Sequence, residues 1–144
     1  MVAYADTGFI ASLYLPETTS ERAIAAARRL KEPLPVTPLV LLEFRNALNL
    51  AVKRGGIDGK ERDTIWRTFE GDIAAGIFVH APVSVPEVHR KARELSDRYT
   101  PQLGTRSLDL LHIAAALTLE AKEMFTFDER QAKAAKAEGL KVKP

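Results

Sequence analysis

Three observations predict an α/β fold for this chain. Short apolar runs alternate with longer segments of helical period. Most of the helical segments open on a capping residue and close at glycine or proline. The 144 residues contain no linker, repeat or low-complexity tract at which to divide them. Strands separated by helices need crossover connections, which give a parallel sheet with helices on both faces. The length predicts a single domain, residues 1–144, with a sizeable core.

Each element has its own signals. Val2–Ala5 reads as a strand that ends on Asp6. Ile10, Leu13 and Tyr14 then mark a short helical stretch before Pro16. Thr18 and Glu21 have capping-box spacing and predict the next helix start, with Ile24, Ala27 and Leu30 as its apolar stripe. Arg22, Arg28 and Arg29 mark its wet side, and Pro33 and Pro35 end it. Val36 is a brief strand. Thr37-Pro38 is a strong start for a helix that runs to Arg54 and stops at Gly55-Gly56. Asp58 with Glu61 boxes a helix that passes Trp66 and Ile73 to Gly76. Ile77–His80 is a strand. Ser84 with Glu87 opens a helix to about Tyr99, and Tyr99–Thr105, with Pro101 and Gly104, reads as the longest loop. Ser107–Ala121 is an alanine-rich helix and Met124–Phe127 a strand. Asp128 caps a helix to Gly139, with Gln131 as its box partner, and Leu140–Lys143 is the last strand.

Composition excludes more than it identifies. Hydrophobic residues make up 46% and charged residues 28%, as in ordinary globular proteins. No apolar run approaches the roughly 20 residues of a membrane span, and the opening lacks a basic signal-peptide region. Cysteine is absent, which excludes disulfides and thiolate metal sites. These features fit a cytoplasmic protein. The net charge of +2 decides little, because nucleic-acid binding depends on how the 21 Lys and Arg cluster.

Four carboxylates stand in awkward apolar settings. Asp6 and Asp128 follow strands, and in open parallel sheets ligands bind beyond the carboxyl ends of strands. Either residue alone would be read as a helix cap. Glu43 lies in Leu39-Val40-Leu41-Leu42-Glu43-Phe44, where Leu39, Val40, Ala47 and Leu50 share its side of the helix within about 60°. Asp109 repeats the pattern, with Ile113 and Ala116 on its side. A buried salt bridge to Arg45 or Arg106 is the structural alternative for these two. Were all four to converge, each pair about 4 Å apart would repel by roughly 4 kcal/mol at an effective dielectric near 20. Such a cluster needs a cation, and hard oxygen donors select Mg²⁺ or Mn²⁺ over Zn²⁺. The chemistry such an ion supports is phosphodiester hydrolysis.

The segments YADTGFI, TPLVLLEFRNAL, RSLDLLHIAAAL and TFDERQ followed by AEGLKV resemble, in order and across almost the whole chain, the PIN domain. Within that family the likeness is to VapC toxins of toxin–antitoxin pairs. The resemblance implies a three-layer α/β/α fold around a five-stranded parallel sheet, and a metal-dependent endoribonuclease. It assigns Asp6, Glu43, Asp109 and Asp128 as catalytic and metal-binding acids, with Asp128 completing or tuning the cage. It gives supporting roles to Thr7 and Ser107. Arg45 and Arg106 are candidates to steer the RNA backbone. Mg²⁺ or Mn²⁺ is the implied cofactor. A homodimer and a small VapB-like antitoxin are the implied partners, with RNA as substrate.

Other residues carry less. His80, His89 and His112 lack metal-ligand spacing, and a packing or solvated role is the simpler reading of His112 despite its place three residues after Asp109. Trp66 with Ile65, Phe69 and Ile73 forms an apolar stripe for the core or a dimer contact. Arg90, Lys91 and Arg93 read as a solvated helix face. No phosphate loop, nucleophile elbow or dinucleotide fingerprint is present. An aspartyl-phosphate phosphatase would need a second Asp at the position of Gly8. A catalytically silent PIN-like protein- or RNA-binding module and a DNA-directed nuclease remain as alternatives.

Overall fold

A computed structural model describes residues 3–144, so Val2 of the predicted first strand lies outside the described residues. In chain order the elements are β1 (Ala3–Ala5), α1 (Thr7–Tyr14), α2 (Ser20–Ala27), β2 (Leu34–Val36), α3 (Pro38–Lys53), α4 (Gly59–Ala74), β3 (Phe78–His80), α5 (Val85–Leu103), α6 (Ser107–Thr118), β4 (Glu123–Phe125), α7 (Glu129–Ala137) and β5 (Lys141–Lys143).

Alternation along the strands builds two cores. Ala3, Ala5 and Phe125 face one side, where Phe9 and Ile10 of α1, Ala23 of α2, Phe44 and Leu48 of α3 and Phe69 of α4 close over them. Tyr4 and Met124 face the other side, against Val88 and Leu95 of α5, Ile113 of α6 and Ala134 and Ala135 of α7. The sheet thus lies between two helical layers.

All strand pairs are parallel, but the predicted five-stranded sheet is not continuous. Among the described residues β1, β4 and β5 form one sheet, with β4 central, and β2 and β3 form another. β1 and β2 run side by side without a hydrogen-bonded ladder. Pro35 gives a reason. The Leu34 amide donates at 3.1 Å to the O of Ile77, just before β3, so by the period of two the nitrogen at position 35 points towards β1. Proline has no N–H to offer there. Pro35, expected with Pro33 to end the preceding helix, lies in the middle of β2.

Other boundaries differ as well: α6 ends at Thr118 rather than Ala121, and β4 is Glu123–Phe125 rather than Met124–Phe127. The second helix starts at Ser20 rather than Thr18, and Thr19, its N-cap, makes no side-chain capping bond. Ala23, not Ile24, is its buried residue, and Ile24 is exposed. The loop predicted over Tyr99–Thr105 is mostly helix: α5 continues through Pro101 to Leu103 and stops on Gly104 at φ 65°. Pro101 has no N–H to give to the last turn, yet Tyr99 and Leu103 on either side of it pack against the second core. The caps at Thr37, Asp58 and Ser84 form as expected, and Asp58 with Glu61 makes a complete capping box.

Candidate active site

Asp6 follows β1 directly and caps α1. Its Oδ1 accepts from the Phe9 amide at 2.8 Å, and its Oδ2 accepts from the Thr126 hydroxyl at 2.5 Å. Burial raises its pKa above the ordinary aspartate value, against the pull of those two hydrogen bonds. Glu43 projects from α3 towards it. Its Oε1 accepts from the Thr7 hydroxyl at 2.8 Å and from His112 Nε2 at 2.5 Å. Burial opposes the Glu43 charge, but the hydrogen bond and charge of His112, with the Thr7 hydroxyl, outweigh it and hold its pKa below the usual value. The His112 ring is fixed from behind, where Nδ1 shares a 2.7 Å hydrogen bond with the buried Tyr4 hydroxyl. Burial also pushes the Tyr4 pKa up, so that hydroxyl keeps its proton.

Asp109 and Asp128 are held differently. Asp109, at the start of α6, accepts from the Arg106 amide at 3.0 Å and from Arg106 Nε at 3.2 Å. The same guanidinium reaches Asp128 Oδ2 through Nη2 at 3.2 Å and so bridges the two carboxylates. The hydrogen bonds and charge of Asp109, then the charge of Asp128, raise the Arg106 pKa. Asp128 caps α7 through the Gln131 amide at 2.8 Å. The predicted box is only half formed, because the Gln131 side chain donates to Asp109 Oδ1 at 3.2 Å instead of returning to its own cap. The Asp128 amide donates to Thr126 Oγ1 at 3.0 Å, so Thr126 ties this half to Asp6.

The four acids, Thr7, Arg106, His112 and Gln131 line an open cleft of about 780 Å³, with Leu108 and Phe127 as its large apolar members. The profile of the PIN domain family matches residues 3–137 of the sequence, nearly its whole length. The chain belongs to the PIN domain family. Solved structures share its fold. FitAcB of Neisseria gonorrhoeae aligns with a TM-score of 0.71 and 20% identity, over 99% of this chain and 97% of that one. The sarcin–ricin loop cleaving toxin VapC20 of Mycobacterium tuberculosis gives 0.70 and 17%, over 99% of each chain. VapBC2 of Rickettsia felis, solved on a DNA fragment from its promoter, gives 0.66 and 14%, over 99% and 98%. At these identities the likeness shows the fold. No curated protein matches the sequence.

Within this PIN domain, Asp6, Thr7, Glu43, Arg106, Asp109 and Asp128 all reach the cleft. Two candidates do not. Ser107 is exposed and outside the cleft lining. Arg45 lies two residues from Glu43, about 200° around α3, and its guanidinium sits 5.2 Å over the Trp66 ring. Trp66 itself packs on the first core. Sequence reasoning passed over His112, which belongs to the site, and missed Tyr4, Thr126 and Gln131. The spacing of His112 from Asp109, one helical turn, was the available signal.

The donor set fits a hard divalent cation. It offers carboxylates, a threonine hydroxyl and the Gln131 amide oxygen, which is buried without a hydrogen-bond partner among the described residues. The shell is not assembled in advance: among the described residues no three Asp, Glu or His side chains stand as a ready metal cage. Arg106 lies between two of the acids instead. No helix among the described residues is long and apolar enough to cross a membrane.

Proposed function

We propose that this PIN domain is an endoribonuclease dependent on Mg²⁺ or Mn²⁺, acting in the cytoplasm as the toxin of a toxin–antitoxin pair. The observation that carries the reading is the convergence of Asp6, Glu43, Asp109 and Asp128, from four separate elements, on one open cleft. Four acids gathered on one cleft, with only Arg106 and His112 to balance them, suit a divalent cation. Asp6, Glu43 and Asp109 would hold the ion, and Asp128 would complete or tune its surroundings. A bound ion there supplies positive charge to the phosphate and lowers the pKa of attacking water.

The chain's own residues set the geometry for that chemistry. Thr7 and His112 both donate to Glu43 Oε1, which fixes one of its oxygens and keeps it ionised. Thr126 and the Phe9 amide orient Asp6. Arg106, exposed at the mouth, has the planar donors to bind a phosphate's oxygens. The similarity to VapC20, described as a toxin that cleaves the sarcin–ricin loop, supports RNA over DNA as substrate. The solved VapBC and FitAB assemblies among the structural neighbours support a small VapB-like antitoxin as partner. A homodimer belongs to the same reading.

The test is cleavage of a mixed RNA pool by purified protein with Mg²⁺, with Mn²⁺ and with EDTA. Asp6→Asn and Asp109→Asn run beside it, and circular dichroism checks their folding. Metal-dependent cutting lost in both folded variants supports the reading. Cutting that survives EDTA and both substitutions sinks it. Cutting of DNA alone would favour the DNA-directed alternative.

A further inference from the structure

The cleft has one wall that its acid chemistry does not use. Phe127 lies between Thr126, which holds Asp6, and Asp128, and it lines the cleft. Its ring stacks on Phe9, with centroids 5.8 Å apart and planes 21° from parallel. Phe9 is fully buried, rests in turn against Phe125, and gives its backbone N–H to Asp6. The ring is thus fixed by the same residue that fixes a carboxylate of the site.

Above this stack lies Arg22, projecting from α2 with its guanidinium carbon 5.2 Å from the Phe127 centroid. Arg22 is exposed, and among the described residues no carboxylate pairs with it. Acids crowd the cleft nearby, yet this cation rests on a ring. A guanidinium over a phenyl ring makes a cation–aromatic pair, and Arg and aromatic planes are surfaces on which unstacked nucleic-acid bases stack. Arg106 stands at the acids themselves, while Arg22 lies outside the cleft lining and meets it only through Phe127.

We infer that Arg22 and Phe127 form a base subsite, which takes an unstacked base of single-stranded or loop RNA next to the scissile phosphate. The inference rests on the nuclease reading and adds a substrate requirement to it: the nucleotide beside the cut must be free to leave its stack. A base-paired duplex at that position fails the requirement.

The experiment uses an oligoribonucleotide that the wild-type protein cuts at one site. A series of the same RNA carries a single abasic residue at each position flanking the cut. Wild type is compared with Arg22→Lys, which keeps the charge but loses the plane, and Phe127→Leu, which keeps apolar bulk but loses the ring. Arg22 is at the surface, so its variant stays informative if Phe127→Leu folds poorly; melting curves monitor both. Either variant is expected to lower kcat/KM about five- to fifty-fold, mainly through KM. One abasic position should impose the same loss on the wild type and erase its advantage over the variants. Equal slowing of intact and abasic RNAs by the variants overturns the subsite and reduces the pair to packing. So does an Arg22→Lys protein that matches wild type with no sensitive abasic position. In both cases wild-type cleavage that is lost in Asp109→Asn leaves the nuclease reading standing. Absence of any RNA cleavage by wild type overturns both.

Discussion

The two halves of the cleft solve one electrostatic problem by opposite means. Asp6 and Glu43 are held by hydroxyls, a backbone amide and an imidazole that is itself anchored to Tyr4 inside the second core. Asp109 and Asp128 each accept one backbone amide and Asp109 the Gln131 side chain, but the charge of both is balanced by one guanidinium whose side chain is 67% exposed. The first half is part of the fold. The second is balanced by a long flexible cation that can let go. The first half therefore fixes geometry, and the second adjusts charge.

The largest effect that tests this division is on activity. Asp109→Asn and Asp6→Asn each keep the shape of the side chain and remove a charge at the proposed ion site. Loss of a group that places a metal's charge is worth several kcal/mol, so cleavage should fall by about a thousandfold or more. Rates of single-turnover RNA cleavage read this. A loss below tenfold in either folded variant would mean that its half contributes shape and not charge.

Removing the anchor of the first half should cost stability as well. Tyr4→Phe deletes the hydroxyl at His112 Nδ1 and leaves a buried nitrogen without its partner. Such an unsatisfied group costs about 1–3 kcal/mol. Urea unfolding should show a lower midpoint with unchanged slope, and the pH dependence assigned to Glu43 should weaken as the imidazole loses its fixed position. Wild-type stability for this variant would place the His112 anchor elsewhere.

How much of this was legible follows from the range of each interaction. Asp6, Asp109 and Asp128 were readable because each lies in the first turn of a helix or just before it, where local spacing marks the position. Glu43 was readable because a charge interrupts an apolar helix face. The cap reading of Asp6 and Asp128 and the site reading do not exclude each other: one oxygen of each carboxylate accepts from its own helix, and the other meets Thr126 or Arg106. The partners were not legible, since Tyr4 meets His112 across 108 residues and Thr126 meets Asp6 across 120. No local pattern encodes such pairs. The sheet was misread for a related reason. Pro35 looked like a terminator because the strand around it is short, and only the β2–β3 register shows which way its missing N–H points.

A smaller effect concerns acid, and here the first half divides within itself. The Asp6 pKa is raised on folding, so the folded protein takes up that proton before the unfolded chain does. Its contribution is favourable below the unfolded value of about 3.9 and is lost as pH rises through the folded value. At neutral pH the charged carboxylate burdens the metal-free fold. Asp6→Asn in EDTA should therefore melt about a few degrees higher than wild type at pH 7, and the gap should close as the pH falls towards 4. Glu43, with a lowered pKa, has the opposite sign: its contribution is present above about 4.3 and is lost as pH falls through the folded value. A gap that widens in acid would contradict the assignment to Asp6.

The smallest stability effect is expected where the division is sharpest, at Arg106. Its pair with Asp128 is open to solvent and contributes about 0–1 kcal/mol in ordinary salt, and Asp109, although buried, keeps the Arg106 amide and the Gln131 side chain. Arg106→Gln should barely move the melting temperature in EDTA. Its effect on Mn²⁺ should be larger and of opposite sense to an ordinary loss of function. The guanidinium and the ion contend for the same two carboxylates, so removing the guanidinium should tighten Mn²⁺ binding several-fold, as read by electron paramagnetic resonance titration. RNA cleavage should meanwhile weaken through KM, because the cation available to a phosphate is gone. Tighter metal with weaker RNA would identify Arg106 as a cation that both ligands displace or share. Weaker Mn²⁺ binding would instead make Arg106 a brace for Asp109 and Asp128, and the second half of the cleft would then be as fixed as the first.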